Sequence, residues 1–224
     1  MRRSLAFITA GIAVSLIAPL PSALADSGSS SLSGGTGSSS LSGGTGSGGS
    51  GSSSLSGGGG LPPYSQWIAD VTTVVNQAQT YLTTALPGAT KPAIVLDIDN
   101  SSLEAQYNPG IVIPAIQPVL HLTQWAKQHG AAIIFVTGRP SLLNAYTQVN
   151  LTSVGYTVDK LYGSPLTTIS AGNTGLTAYK TASRVDIESQ GYTIVANIGN
   201  NHFDLDGGHA QATFKLPDYD GKLS

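Results

Sequence analysis

Two carboxylates stand two residues apart at Asp97 and Asp99, directly after the apolar run Pro92 to Leu96. Held together there, they repel unless a proton or a divalent cation compensates. A strand-ending turn also favours Asp and Asn, so this pair alone fits a structural role as well. Three further positions make the chemical reading stronger. Thr137 and Gly138 follow the apolar run Ala131 to Val136. A hydroxyl and free backbone N–H groups at such a place can hold phosphoryl oxygens. Lys180 heads a predicted helix, where it is either a fixed positive charge or a solvated surface lysine. Asp204 follows the apolar run Tyr192 to Ile198 and is either a loop acid or part of an oxygen cage for a magnesium ion.

The elements around these residues give the same direction. Trp67, Val71, Val74, Val75, Ala78, Tyr81 and Leu82 recur at helical spacing over Ser65 to Thr83, and Pro87-Gly88 closes that segment. Helices are expected from Pro114 to Gln128, from an N-cap at Ser141 to Leu151, and from Thr177 to Gln190. Apolar strands are expected at 92–97, 131–136 and 192–198, with a weaker one at 156–162 and an edge strand at 212–216. Strand–helix alternation of this kind predicts an α/β fold, a three-layer, doubly wound and mostly parallel sheet. Such sheets bind ligands at the carboxyl ends of their strands. Asp97 and Asp99, Thr137 and Arg139, and Asn200 and Asp204 all fall there.

Four segments, taken in order, resemble the motifs of the haloacid dehalogenase (HAD) superfamily. Val95-Leu96-Asp97-Ile98-Asp99-Asn100-Ser101 resembles its first motif, and Phe135-Val136-Thr137-Gly138-Arg139-Pro140 its second. Tyr179-Lys180-Thr181-Ala182-Ser183-Arg184 looks like the third, and Ile198-Gly199-Asn200-Asn201-His202-Phe203-Asp204-Leu205 the fourth. Gly207-Gly208-His209 and Phe214-Lys215-Leu216-Pro217 are similar to subfamily IIIB, the acid phosphatase branch that includes plant acid phosphatases and vegetative storage proteins. The likeness covers about residues 63 to 219.

The resemblance implies a magnesium-dependent phosphatase acting on small phosphate monoesters. Asp97 is then the nucleophile and Asp99 the general acid and base. Thr137 and Lys180 hold the equatorial oxygens, with Ser101, Gly138 and Arg139 at the substrate. Mg²⁺ is held by Asp97, the Asp99 backbone carbonyl, Asn200 and Asp204. Asn200 departs from the pattern, which has Asp; an amide keeps an oxygen donor but removes one negative charge, so metal affinity falls. That departure favours an alternative, a secreted HAD-fold protein with weak or no catalysis and a storage or binding role. Haloacid dehalogenation needs neither the second acid nor magnesium, so Asp99 and Asp204 argue against it. The intervals from Asp97 to Thr137 and on to Lys180 leave room for a small cap or none.

The rest of the chain differs in kind. Residues 1–25 read as a signal peptide: Arg2-Arg3, an apolar stretch from Leu5 to Ala18, and a small-x-small site at Ala23-Leu24-Ala25. The expected product is secreted, with cleavage after Ala25. Residues 26–60 hold 14 Gly and 15 Ser, with Ser-Ser-Ser-Leu-Ser-Gly-Gly-Thr-Gly at 29–37 and again at 38–46. Such a composition cannot offset its ordering entropy and predicts a disordered linker. Residues 61–224 form the phosphatase-like domain. It carries no basic run, so nucleic acid is not an expected partner. With no cysteine in the chain there are no disulfides and no thiolate metal sites, and the mature protein is not expected to span a membrane.

Overall fold

The computed structural model describes residues 60–223. Five strands form one all-parallel sheet: β1 (Pro92–Leu96), β2 (Ala132–Pro140), β3 (Lys160–Ser164), β4 (Thr193–Gly199) and β5 (Ala212–Lys215). Their order is β3-β2-β1-β4-β5. The chain runs outward from β1 through β2 to β3, then returns to β4 on the other side of β1. The reversal puts a crevice at the carboxyl ends of β1 and β4, where ligands bind in open α/β sheets.

The period of two along each strand sorts side chains to two faces. Ile94 and Leu96 of β1 and Ile133 and Phe135 of β2 join one core with Trp67, Val71, Ala78, Leu82, Val119 and Leu122. These last six come from α1 (Tyr64–Ala85) and α2 (Gln117–Gln128). Ala93, Val95, Ile134 and Val136 face the opposite way and meet Ile187 of α5 (Gly172–Ser189). That second core is thinner because the inner face of α5 also carries buried Lys180, Ser183 and Arg184. The remaining helices are α3 (Asn144–Ser153), α4 (Leu166–Ser170) and α6 (His202–Leu205).

Several boundaries differ from the sequence expectation. The helix expected from Pro114 starts at Gln117, with Pro118 rather than Pro114 in its first turn. Pro114 stays in the connection, where its carbonyl accepts from the Glu104 N–H at 2.9 Å. Ser141 is not an N-cap; it opens a 3₁₀ turn, Ser141–Leu143, and α3 begins at Asn144. The weaker strand lies at Lys160–Ser164 rather than 156–162, because Tyr156 turns into the core instead, edge-on to Phe135. α5 starts at Gly172, so Lys180 stands in the middle of a helix and not at its head. Between Asp97 and α2 only isolated bridges join Asp99 to Leu103 and Leu103 to Ala115, and no cap domain is inserted among these described residues.

Candidate active site

Asp97 is the first residue beyond β1, and its N–H donates to the Ile198 carbonyl of β4 at 3.0 Å. The strand pairing that builds the sheet therefore also fixes the backbone of Asp97 in the crevice. Lys180 reaches the same point from α5. Its Nζ lies 2.6 Å from Asp97 Oδ1 and 2.5 Å from Asp204 Oδ1. All three side chains are buried. Phe203 covers the ammonium, with its ring centroid 5.4 Å from Nζ.

Two carboxylates and one ammonium leave one excess negative charge in this cluster. Burial and the neighbouring Asp204 carboxylate push the Asp97 carboxyl up to about 7, against the opposing pull of Lys180. Burial works against the Lys180 ammonium, but Asp97 and Asp204 outweigh it and hold its pKa above the ordinary lysine value.

Asp204 is the third residue of α6, and Asn201 caps that helix. The Asn201 N–H donates to Asp204 Oδ2 at 2.8 Å, the reciprocal arrangement of a capping box. Gly199 is needed beside it, since a Cβ there would collide with the Asp204 side chain. The Asp206 side chain stands outside this arrangement: the residue is exposed, its carbonyl accepts from Thr181 and Arg184, and its N–H donates to the His202 carbonyl at 2.9 Å.

Ser101 lies under Asp97 and is fully buried. Its Oγ is 3.0 Å from Asp97 Oδ2 and 3.0 Å from Asn200 Oδ1, and it accepts from the Asn200 N–H at 3.0 Å. Ser101 thus forms the floor of the site, not a substrate-facing wall. The Asn200 amide is committed at both ends. Its Oδ1 faces Ser101 and Asn201 Nδ2, and its Nδ2 donates to the Leu223 carbonyl at 2.6 Å. Asn100, at φ 55°, donates to the same carbonyl at 3.0 Å. An aspartate at position 200 has no proton to give Leu223, which is a structural reason for the amide.

Thr137 is buried in β2 just before the strand's pairing with β3 shifts register, and the Arg139 N–H donates to its Oγ1 at 3.2 Å. The Gly138 carbonyl accepts from Ser164 Oγ at 2.8 Å, which ties the second motif to β3. Arg139 does not stand free to meet a substrate. Its Nε and NH2 grip Asp99 Oδ2 and Oδ1 at 2.8 and 2.6 Å. Asp99 is the most exposed acid of the group, with 41% of its side chain open to solvent. The crevice therefore opens toward Asp99 and Arg139.

The four histidines stand outside the acidic cluster. His129 lies tilted against Trp125, and His209 pairs with Glu188 at 2.7 Å in a turn. His202 is exposed and lines a shallow cleft with Asn173, Phe203 and Asp218. His121 lies in the groove between α1 and α2.

The donors at the crevice suit a hard divalent cation. Asp97 and Asp204 supply carboxylate oxygens, Asn200 Oδ1 points into the same cluster through Ser101, and the cluster carries the excess negative charge a cation neutralises. Among the described residues, no three His, Cys, Asp or Glu side chains converge to hold a metal. A third protein donor to such a cation would be an amide or backbone oxygen.

Sequence reasoning assigned no role to Arg184 or Leu223. Arg184 lies one helical turn beyond Lys180, a spacing that puts both on one face and was readable. Leu223 acts through its backbone carbonyl, for which a sequence has no signal.

An all-parallel α/β sheet with paired acids at its switch point, a Thr at the adjacent strand end and a buried lysine opposite defines a HAD-like fold. The chain belongs to the HAD superfamily, subfamily IIIB (acid phosphatase), whose pattern matches residues 108–222. Thr137, Lys180, Asn200 and Asp204 lie within that stretch, and Asp97 and Asp99 precede it. Over 107 residues the chain is 42% identical to the stem 28 kDa and stem 31 kDa glycoproteins of Glycine max. That stretch is 46% of this chain but 41% and 36% of those relatives, so the chain spans less than half their length. The fold is also similar to the class C acid phosphatase from Bacillus anthracis, with a TM-score of 0.53 at 21% identity, covering 64% of this chain and 66% of that one.

Proposed function

We propose that this protein hydrolyses small phosphate monoesters with magnesium as cofactor and Asp97 as nucleophile. The observation that carries this reading is the meeting of Asp97 and Asp204 on Lys180 at the β1–β4 crevice. An Asp97 oxygen attacks phosphorus, a new O–P bond forms, and the bond to the leaving oxygen breaks. Asp99, which takes up a proton from solvent as it lets go of one of its two bonds to Arg139, passes that proton to the leaving oxygen. Asp99 then takes a proton from the water that attacks phosphorus, the Asp97–phosphorus bond breaks, and inorganic phosphate leaves. Thr137 and Lys180 steady the equatorial oxygens as charge develops. Asp97, Asp204, the Asp99 carbonyl and Asn200 would hold the magnesium ion, which supplies charge neutralisation on the phosphoryl group.

A second reading has two observations in its favour. The Asn200 amide is locked between Ser101 and Leu223, and the soybean relatives carry glycoprotein names rather than enzyme names. On that reading the chain is a secreted HAD-fold protein that binds or stores without turnover. Phosphate release by the full chain from an aryl phosphate, with Mg²⁺ and with EDTA, separates the two. Release that needs Mg²⁺ supports the enzyme, and none in either condition supports the second reading.

The proposal extends to the remainder of the chain: export through residues 1–25, and a Gly/Ser tether at 26–60 that takes no part in catalysis. Sequencing the amino terminus of the secreted product tests the first, with Asp26 as the expected first residue.

A further inference from the structure

Arg184 is almost wholly buried, yet every acceptor it meets is uncharged. NH1 donates to the Asp204 carbonyl at 2.8 Å and Nε to the Gly208 carbonyl at 2.8 Å. NH2 donates to the Asp206 carbonyl and to Thr181 Oγ1, the latter at 3.3 Å. Asn197 Nδ2 joins Arg184 on the Asp204 carbonyl, also at 2.8 Å. Gly207, at φ 88°, lets the loop come close to α5, since a Cβ there would collide with Thr181. A single guanidinium thus spans the turn from 204 to 208.

Burial pulls the Arg184 guanidinium pKa below its ordinary value, although Asp204, Asp206 and Glu188 lie near enough to favour its charge. The charge needs a reason, and its place supplies one. Lys180 and Arg184 lie four residues apart on one face of α5. Lys180 holds the Asp204 carboxylate and Arg184 holds the Asp204 carbonyl. The residue is gripped at both of its polar ends by one rigid helix. Few alternatives remain for the direction in which its carboxylate points.

We propose that Arg184 is a positioning residue that fixes Asp204 in the orientation needed to receive the divalent cation. It touches neither the phosphoryl group nor the nucleophile. The inference rests on the phosphatase reading insofar as that reading makes Asp204 a metal donor. Partners that orient metal donors from outside the coordination sphere typically contribute about 10- to 100-fold in metal affinity.

The test is made on the full chain by two readouts. The first is the Mg²⁺ concentration that gives half of the metal-induced rise in Tm, without substrate. The second is kcat at saturating Mg²⁺. Arg184→Met is expected to move the Mg²⁺ midpoint upward by about tenfold or more while kcat at saturation stays within about threefold. Arg184→Lys, which cannot span the carbonyls, is expected to fall between. Ile187→Ala, a buried change in the same helix with no link to Asp204, is expected to lower Tm and leave the Mg²⁺ midpoint unmoved. An Arg184→Met protein with lower Tm but the wild-type midpoint reduces Arg184 to a structural residue and overturns the inference. If Arg184→Met does not fold, the midpoint of Arg184→Lys decides in the same way. A wild-type protein with neither a Mg²⁺-induced rise in Tm nor phosphate release defeats the functional reading and this inference with it. A responsive wild type with unmoved Arg184 variants defeats this inference alone.

Discussion

Arg139 holds Asp99 in a two-pronged grip, Nε on Oδ2 at 2.8 Å and NH2 on Oδ1 at 2.6 Å. The arginine of the second motif is thereby a partner of the proposed acid, not a free phosphate clamp. Arg139→Ala should act through Asp99 and lower kcat by about tenfold or more, part of the 10²–10⁴ that a positioned acid supplies. KM should change little. Steady-state kinetics check this, and a rise in KM at constant kcat would instead make Arg139 a substrate contact.

Lys180→Met removes the one cation between two buried carboxylates. Breaking such a cluster leaves uncompensated buried charge, which costs about 3–5 kcal/mol. Denaturant unfolding in EDTA should show a loss of that order, and Mg²⁺ should restore part of it. A variant as stable as wild type without metal would show that Asp97 and Asp204 do not depend on the lysine.

How much of this was open to sequence reasoning depends on where the signal lies. The strands were legible because β1, β2 and β4 are buried on both faces and read as continuous apolar runs. The start of α5 was missed because it opens on Gly172-Asn173-Thr174-Gly175, residues that read as a turn. β3 was placed too early because Lys160–Ser164 is mostly half-buried and Tyr156 belongs to the core. At the site, the side chains that meet were named by their motifs. The bonds that constrain them were not, since Asp204 and Asn200 are held through backbone carbonyls at 204 and 223.

Asn200→Asp shows what that difference changes. Charge alone predicts tighter magnesium for the variant. The structure adds a loss, because the amide donation to the Leu223 carbonyl disappears and a carboxylate faces that oxygen. The carbonyl keeps its bond from Asn100, so the loss is that of one buried hydrogen bond, about 0.5–1.5 kcal/mol, or about 1–6 °C in Tm for a domain of this size. In EDTA the variant should melt lower than wild type, and Mg²⁺ should raise its Tm by more than it raises that of wild type. Equal melting in EDTA would remove the link between Asn200 and the 223 carbonyl.

The most direct test of Asp97 as nucleophile is phosphate release by Asp97→Asn compared with wild type, at saturating Mg²⁺. The substitution keeps the shape of the side chain and removes one of the two acids that repel across the buried cluster, so the variant should stay folded. The account predicts no turnover above the metal-only background, with a melting temperature no lower than that of wild type. Turnover near the wild-type rate, with mass spectrometry showing that the asparagine has not deamidated, would contradict it.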